Sequence, residues 1–152
     1  MLPLTAGFEY LDDVAIADVA FRAWGADLAG AFAAAARATV SVMLEDLASL
    51  EARCERRVDL EADQLDLLLF DFLSELVYYK DADGLLLLPR RVEVQEPGAA
   101  ADRRWRVRAV LAGERVDRSR HAVLVDVKAV TLHRLSLRQE PGRWVAEVVL
   151  DI

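Results

Sequence analysis

Apolar positions along the chain recur with a period near two in some stretches and near 3.6 in others, and the changes of period mark out elements. Residues 8–12 and 16–24 alternate as short strands. In the second, Ala17, Val19, Phe21 and Ala23 fall on one face and Asp18, Ala20, Arg22 and Trp24 on the other. Gly25-Ala26-Asp27 supplies a turn and an N-cap. A helix should follow to about Asp46, with Phe32, Ala35, Ala36, Thr39, Val40, Met43 and Leu47 as its core stripe. Residues 52–61 read as a modest strand. A second helix is expected from Asp63 to about Tyr79, with Asp66 placed as a capping-box residue. Only Asp71, Ser74 and Glu75 make a polar strip on it, so other elements should enclose it on several sides. Gly84 can end it in a left-handed conformation.

Beyond residue 84 the pattern is β throughout. Strands are expected at 85–95, 103–113, 123–127, 130–138 and 144–151, with turn signals at Pro97-Gly98 and Glu140-Pro141-Gly142-Arg143 and a mobile loop at Ala99-Ala100-Ala101. No helix of length alternates with these strands. The chain of 152 residues therefore reads as one α+β domain, a mainly antiparallel β-sheet packed around two α-helices, with neither repeat nor linker.

Two residues break the strand pattern. Asp18 interrupts Ile16-Ala17-Asp18-Val19-Ala20-Phe21, and Asp151 interrupts Val148-Val149-Leu150-Asp151-Ile152. Strand interiors disfavour Asp, whose short carboxylate competes for backbone hydrogen bonds and packs poorly. Two such residues near opposite ends of the chain suggest termini that meet to build a carboxylate site. In the alternation Leu124-Asp126-Lys128-Val130-Leu132-Arg134, Lys128 shares a face with Asp126 and Arg134. Each residue alone reads more readily as a solvated strand position. Together, a carboxylate pair and a lysine could hold a hard cation such as Mg²⁺, Mn²⁺ or Ca²⁺ beside a phosphate. Asp12 and Asp13 are turn formers or further ligands, and the pattern leaves both readings open. His121 and His133 are the two histidines, and no nucleophile–base motif can be assembled around either. Arg104, Arg106 and Arg108 share a strand face, which reads as its solvated side rather than a nucleic-acid surface.

Composition narrows the field. A formal charge of −7 disfavours general nucleic-acid binding and suits divalent cations or a basic surface on another protein. The apolar runs are far shorter than a bilayer span, and the first residues lack the pattern of a secretory leader, so no membrane association is expected. Cys54 is the single cysteine, which leaves no internal disulfide and fits a reducing, cytoplasmic setting.

Four segments in order also resemble a known family. Phe8-Glu9-Tyr10-Leu11-Asp12 leading into Ala17-Asp18-Val19-Ala20-Phe21-Arg22-Ala23-Trp24-Gly25 is similar to the N-terminal signature of the archeases. Residues 63–78 resemble their second helix, Val127-Lys128-Ala129-Val130-Thr131-Leu132-His133-Arg134-Leu135 their lysine-containing strand, and Val148-Val149-Leu150-Asp151-Ile152 their terminus. The resemblance implies a non-enzymatic cofactor of the GTP-dependent RNA ligase that joins tRNA exon halves. Such a protein promotes guanylylation of the ligase and its multiple turnover, and it binds divalent metal through carboxylates. Carried over by position, Asp18 and Asp151 are metal ligands and Lys128 is the functional lysine, contacting phosphate or partner. The family's His-Thr ahead of Ala-Asp is here Ala15-Ile16, and the segment from Leu11 to Asp18 is two residues longer. With the gap after Asp13, that residue takes the histidine's place as a third ligand; Asp12 and His133 remain alternatives at or behind the metal. Two rival functions stand beside this one: a stand-alone metal-dependent phosphoester hydrolase, and a metal-free chaperone-like adaptor.

Overall fold

The computed structural model describes residues 6–12, 18–98 and 103–152. In chain order the elements are β1 (Ala6–Leu11), β2 (Asp18–Gly25), α1 (Leu28–Met43), a 3-10 turn (Leu47–Ser49), β3 (Cys54–Ala62), α2 (Leu65–Asp83), β4 (Leu85–Gln95), β5 (Trp105–Arg115), β6 (Ala129–Val130), β7 (Ser136–Glu140) and β8 (Arg143–Asp151). One antiparallel sheet runs β1-β2-β8-β6, with β7 also paired to β8, and a second runs β3-β5-β4. Each helix packs against strands of both sheets: α1 on β1, β2, β8 and β4, α2 on β3, β4, β5, β6 and β7. The expected α+β fold of antiparallel sheet around two helices is what forms. Among the described residues no helix is long and apolar enough to cross a membrane.

The core is one cluster drawing on both sheets and both helices, including Phe21, Phe32, Phe72, Leu69, Leu111 and Leu150. Alanines at 31, 34, 35, 36 and 38 let α1 lie close to its neighbours. Gly25 is required where β2 turns into α1, because a β-carbon there would fall 2.3 Å from the backbone of Gly30 and Ala31. Asp27 caps α1 as expected, accepting from Gly30 N–H at 2.7 Å. Gly84 closes α2 at φ 67, the left-handed value that glycine adopts without strain.

Several boundaries differ from the sequence reading, each for a local reason. Helix α1 stops at Met43, since Leu44 turns extended and bridges Val123 instead. Asp63 does not begin α2: Arg104, just ahead of β5, holds its carboxylate at 3.1 Å, and Gln64 takes the cap position without a side-chain bond. Asp66 accepts from Leu67 N–H rather than closing a capping box. Enclosure of α2 is incomplete, with Leu67 and Tyr78 exposed. The strand expected at 123–127 reduces to the single bridge at Val123. The strand expected at 130–138 splits in two. Residues 131–135 face only residues 148 and 149 of β8, so the surplus loops out as a turn with Arg134 at φ 57. Lys128 therefore shares no strand face with Asp126 and Arg134. The alanine loop at 99–101 lies outside the described residues.

Candidate functional site

Strands β2 and β8 lie side by side in antiparallel register, and in that register Asp18 stands directly opposite Asp151. Cross-strand partners place their side chains on one face about 4.5–5.5 Å apart at the β-carbon. Here it is the face away from the helices, since Phe21, Ala23, Val148 and Leu150 of the other parity lie in the core. Ala129 of β6 pairs with Asp151 from the far side, and Lys128 donates its backbone N–H to the Asp151 carbonyl at 2.8 Å. Three of the residues singled out in the sequence thus converge at one edge of the sheet, from positions 18, 128 and 151.

Two rows along, the same face carries charges of alternating sign that are paired. Arg22 bonds Glu9 on β1 and Glu147 on β8, each at 3.2 Å, and Arg134 bonds the other oxygen of Glu147. Alternating signs across neighbouring strands stabilise a sheet, and like charges directly opposite destabilise it. The Asp18–Asp151 row has the unfavourable pattern. Neither carboxylate forms a hydrogen bond or ion pair among the described residues, and both are partly exposed. Two such oxygen donors suit a hard divalent cation. They supply only part of a coordination sphere: among the described residues no three His, Cys, Asp or Glu side chains form a ligand set. Asp12 is exposed at the bend after β1, and His133 is exposed in the turn between β6 and β7. Asp13 and Ala15-Ile16 lie outside the described residues. Lys128 is exposed, with no side-chain partner among the described residues.

Lys80, just past the expected end of α2 and not among the residues singled out in the sequence, fixes this edge. Its ammonium is largely buried and donates to Asp126 at 2.6 Å and to the Val127 carbonyl at 2.7 Å, next to Lys128. Burial alone would lower its pKa, but the carboxylates of Asp126 and Asp81 outweigh that and raise it. The signal in the sequence is slight, a lysine followed by Asp81 and Asp83.

A groove of about 1140 Å³ adjoins this edge, with Lys80 and Asp126 in its lining. At its base Glu114 is buried with His121. The His121 ring accepts from Asp117 N–H at Nδ1, which leaves Nε2 to donate to Glu114 at 3.1 Å. Glu114 also accepts from Glu51 N–H and the Arg120 guanidinium. Arg120 first, then Glu51 and His121, hold its carboxyl at about 2, against the upward push of burial. A folded-state pKa below the unfolded value contributes stability that is present above about pH 4.5 and lost as pH falls toward 2. The urea midpoint of the wild type should therefore fall across that window, and Glu114→Gln should flatten the fall while lowering the midpoint at pH 7.

The archease protein family matches residues 8–152. An archease of Methanopyrus kandleri is 37% identical over 136 residues, covering 90% of this chain and 94% of that one. An archease of Pyrococcus furiosus is 33% identical over 137 residues, covering 90% and 93%. The solution structure of protein 1598 of Methanobacterium thermoautotrophicum superposes with a TM-score of 0.81 at 33% identity, over 96% of this chain and 99% of that one. A crystal structure from Thermotoga maritima, described as an archease and possible chaperone, shares the fold at a TM-score of 0.61 and 14% identity, over 91% and 93%. With residues 8–152 matched by the family and relatives above 30% identity aligned over nearly their full length, this chain belongs to the archease family.

Proposed function

We propose that this chain is an accessory activator of an RNA ligase that holds a divalent cation at Asp18 and Asp151 and presents it to the ligase during guanylylation, in tRNA splicing or RNA repair. The observation that carries the proposal is a carboxylate, without a partner among the described residues, facing its like across β2 and β8 beside Lys128. Asp18 and Asp151 would hold Mg²⁺, Mn²⁺ or Ca²⁺, with Asp13 or Asp12 as further donors. A bound cation would supply charge neutralisation at a phosphate. Lys128, exposed and with its backbone fixed to Asp151, would offset phosphate charge or contact the ligase. Lys80 would hold that edge in place through Asp126 and Val127. The covalent chemistry belongs to the ligase, and a reducing, cytoplasmic setting goes with this role.

The test is single-turnover guanylylation of the cognate ligase with and without this protein, across a series of cation concentrations. Stimulation by the wild type, reduced about 10-fold or more in Asp18→Ala, is the expected result. No stimulation at any cation concentration would end the proposal. One further reading has an observation in its favour. Leu124, Val125 and Leu132 are exposed on the segment that flanks the site, as a metal-free chaperone-like adaptor would require. Calorimetry with no heat of Mn²⁺, Mg²⁺ or Ca²⁺ binding, and ligase binding intact in the aspartate variants, would favour it.

A further inference from the structure

The groove beside Glu114 is not used by the carboxylate pair, and its charge is opposite to that of the chain as a whole. Arg53, Lys80, Arg115, Arg118 and Arg120 line it against Glu114, Asp117 and Asp126, in a protein of net charge −7. Arg53 and Arg120 are paired with Glu114, and Lys80 with Asp81 and Asp126. Arg115 and Arg118 form no hydrogen bond or ion pair among the described residues. Between these cations the wall is aliphatic, from Met43, Leu86, Val116 and Val123.

Residues 122–125 run extended along one side. Their inner edge is occupied: the Ala122 carbonyl accepts from Glu45 N–H, and Leu124 N–H donates to the Met43 carbonyl, both at close to 3 Å. The outer edge is open. Among the described residues the backbone groups of Val123 and Val125 have no hydrogen-bond partner. Leu124 and Val125 are 52% and 46% exposed. An extended aliphatic segment with a free edge is a template for strand addition. Unpaired guanidinium forks select carboxylates, often by two hydrogen bonds at once.

We propose that this groove takes an extended segment of a protein partner in which aliphatic residues alternate with Asp or Glu. The segment pairs with the backbone of Val123 and Val125, its aliphatic side chains enter the groove, and its carboxylates meet Arg115 and Arg118. Among the described residues no aromatic side chain lines the groove for a base to stack on, which disfavours single-stranded RNA as the occupant. The proposal does not depend on a cation at Asp18 and Asp151.

The experiment pans the full chain against a phage-displayed random heptapeptide library, then measures an enriched peptide, fluorescein-labelled, by anisotropy. Enriched peptides should alternate aliphatic and acidic residues. Affinity should fall at least about 10-fold in Arg115→Gln/Arg118→Gln, and also in Val125→Pro, which removes an N–H. Both variants sit at exposed or rim positions, and unchanged circular dichroism would certify their folds. Binding should be indifferent to EDTA and to Asp151→Asn, so failure here is distinct from failure of the metal site. The proposal is overturned by an absence of enrichment or by enriched peptides without carboxylates. It is also overturned if the arginine variants bind undiminished, if a poly-uridine strand outcompetes the peptide, or if the chain's self-association blocks it.

Discussion

Saturating Mn²⁺ or Ca²⁺ is expected to raise the melting temperature of the wild-type chain and to leave Asp151→Asn unmoved. A ligand that binds only the folded state adds about 2.7 kcal/mol at a hundredfold excess over its Kd. For a domain of this size that corresponds to a rise of about 5–10 °C. Asn keeps the shape of Asp and removes the charge, so the variant loses the anionic donor without opening a cavity. The same substitution predicts the opposite sign when cation is absent. Asp18 and Asp151 are directly opposed, and like charges in that position cost a sheet about 0.2–1 kcal/mol. In EDTA, Asp151→Asn should therefore melt at or slightly above the wild type, and the two curves should cross as cation is added. Thermal melts by circular dichroism, with and without EDTA, decide the matter. Equal cation shifts in both proteins would place any bound ion elsewhere.

That crossing rests on a register which the sequence suggested but could not impose. Asp18 and Asp151 were legible because each violates the period of an otherwise apolar strand, and a violation is information wherever the surrounding pattern is strong. Asp27 was legible as a cap for a similar reason, since its bond runs three residues along the chain. Asp63 was expected to begin α2 on similarly local grounds and does not. Its carboxylate goes to Arg104, 41 residues away, and a non-local ion pair leaves no mark on local spacing.

The stretch from 122 to 138 was least legible, because its alternation is genuine while its strand pairing is not. Lys80 clamps Asp126 and Val127, and the surplus residues 131–135 bulge out opposite β8. Competition from one side chain and one length mismatch overrode a pattern that would otherwise make a strand. The Glu114–His121 pair was invisible for another reason. Histidine and glutamate seven residues apart across a loop have no periodic relation, and only the fold shows that both are buried. Both groove arginines, Arg115 and Arg118, also read as ordinary surface residues until the groove itself is known.

Phe72→Ala is expected to be the most damaging single core change considered, at about 3–5 kcal/mol. Phe72 is fully buried at the centre of the inward face of α2, among Leu68, Leu69, Leu73 and Leu76. Its ring meets Phe32 of α1 at a centroid distance of 5.6 Å and a tilt of 45°, within the range where aromatic pairs add to simple burial. Truncation removes this ring contact between the two helices and leaves a cavity that close-packed neighbours cannot fill. The loss should reach the candidate site as well, because α2 carries Lys80, and Lys80 holds Asp126 and Val127 beside Lys128. Phe72→Leu keeps most of the volume and should cost less than about 1.5 kcal/mol. Urea denaturation separates the cases: the midpoint should fall strongly for Ala and modestly for Leu, at an unchanged m-value. A loss below about 1 kcal/mol for Phe72→Ala would mean that α1 and α2 do not meet through these rings.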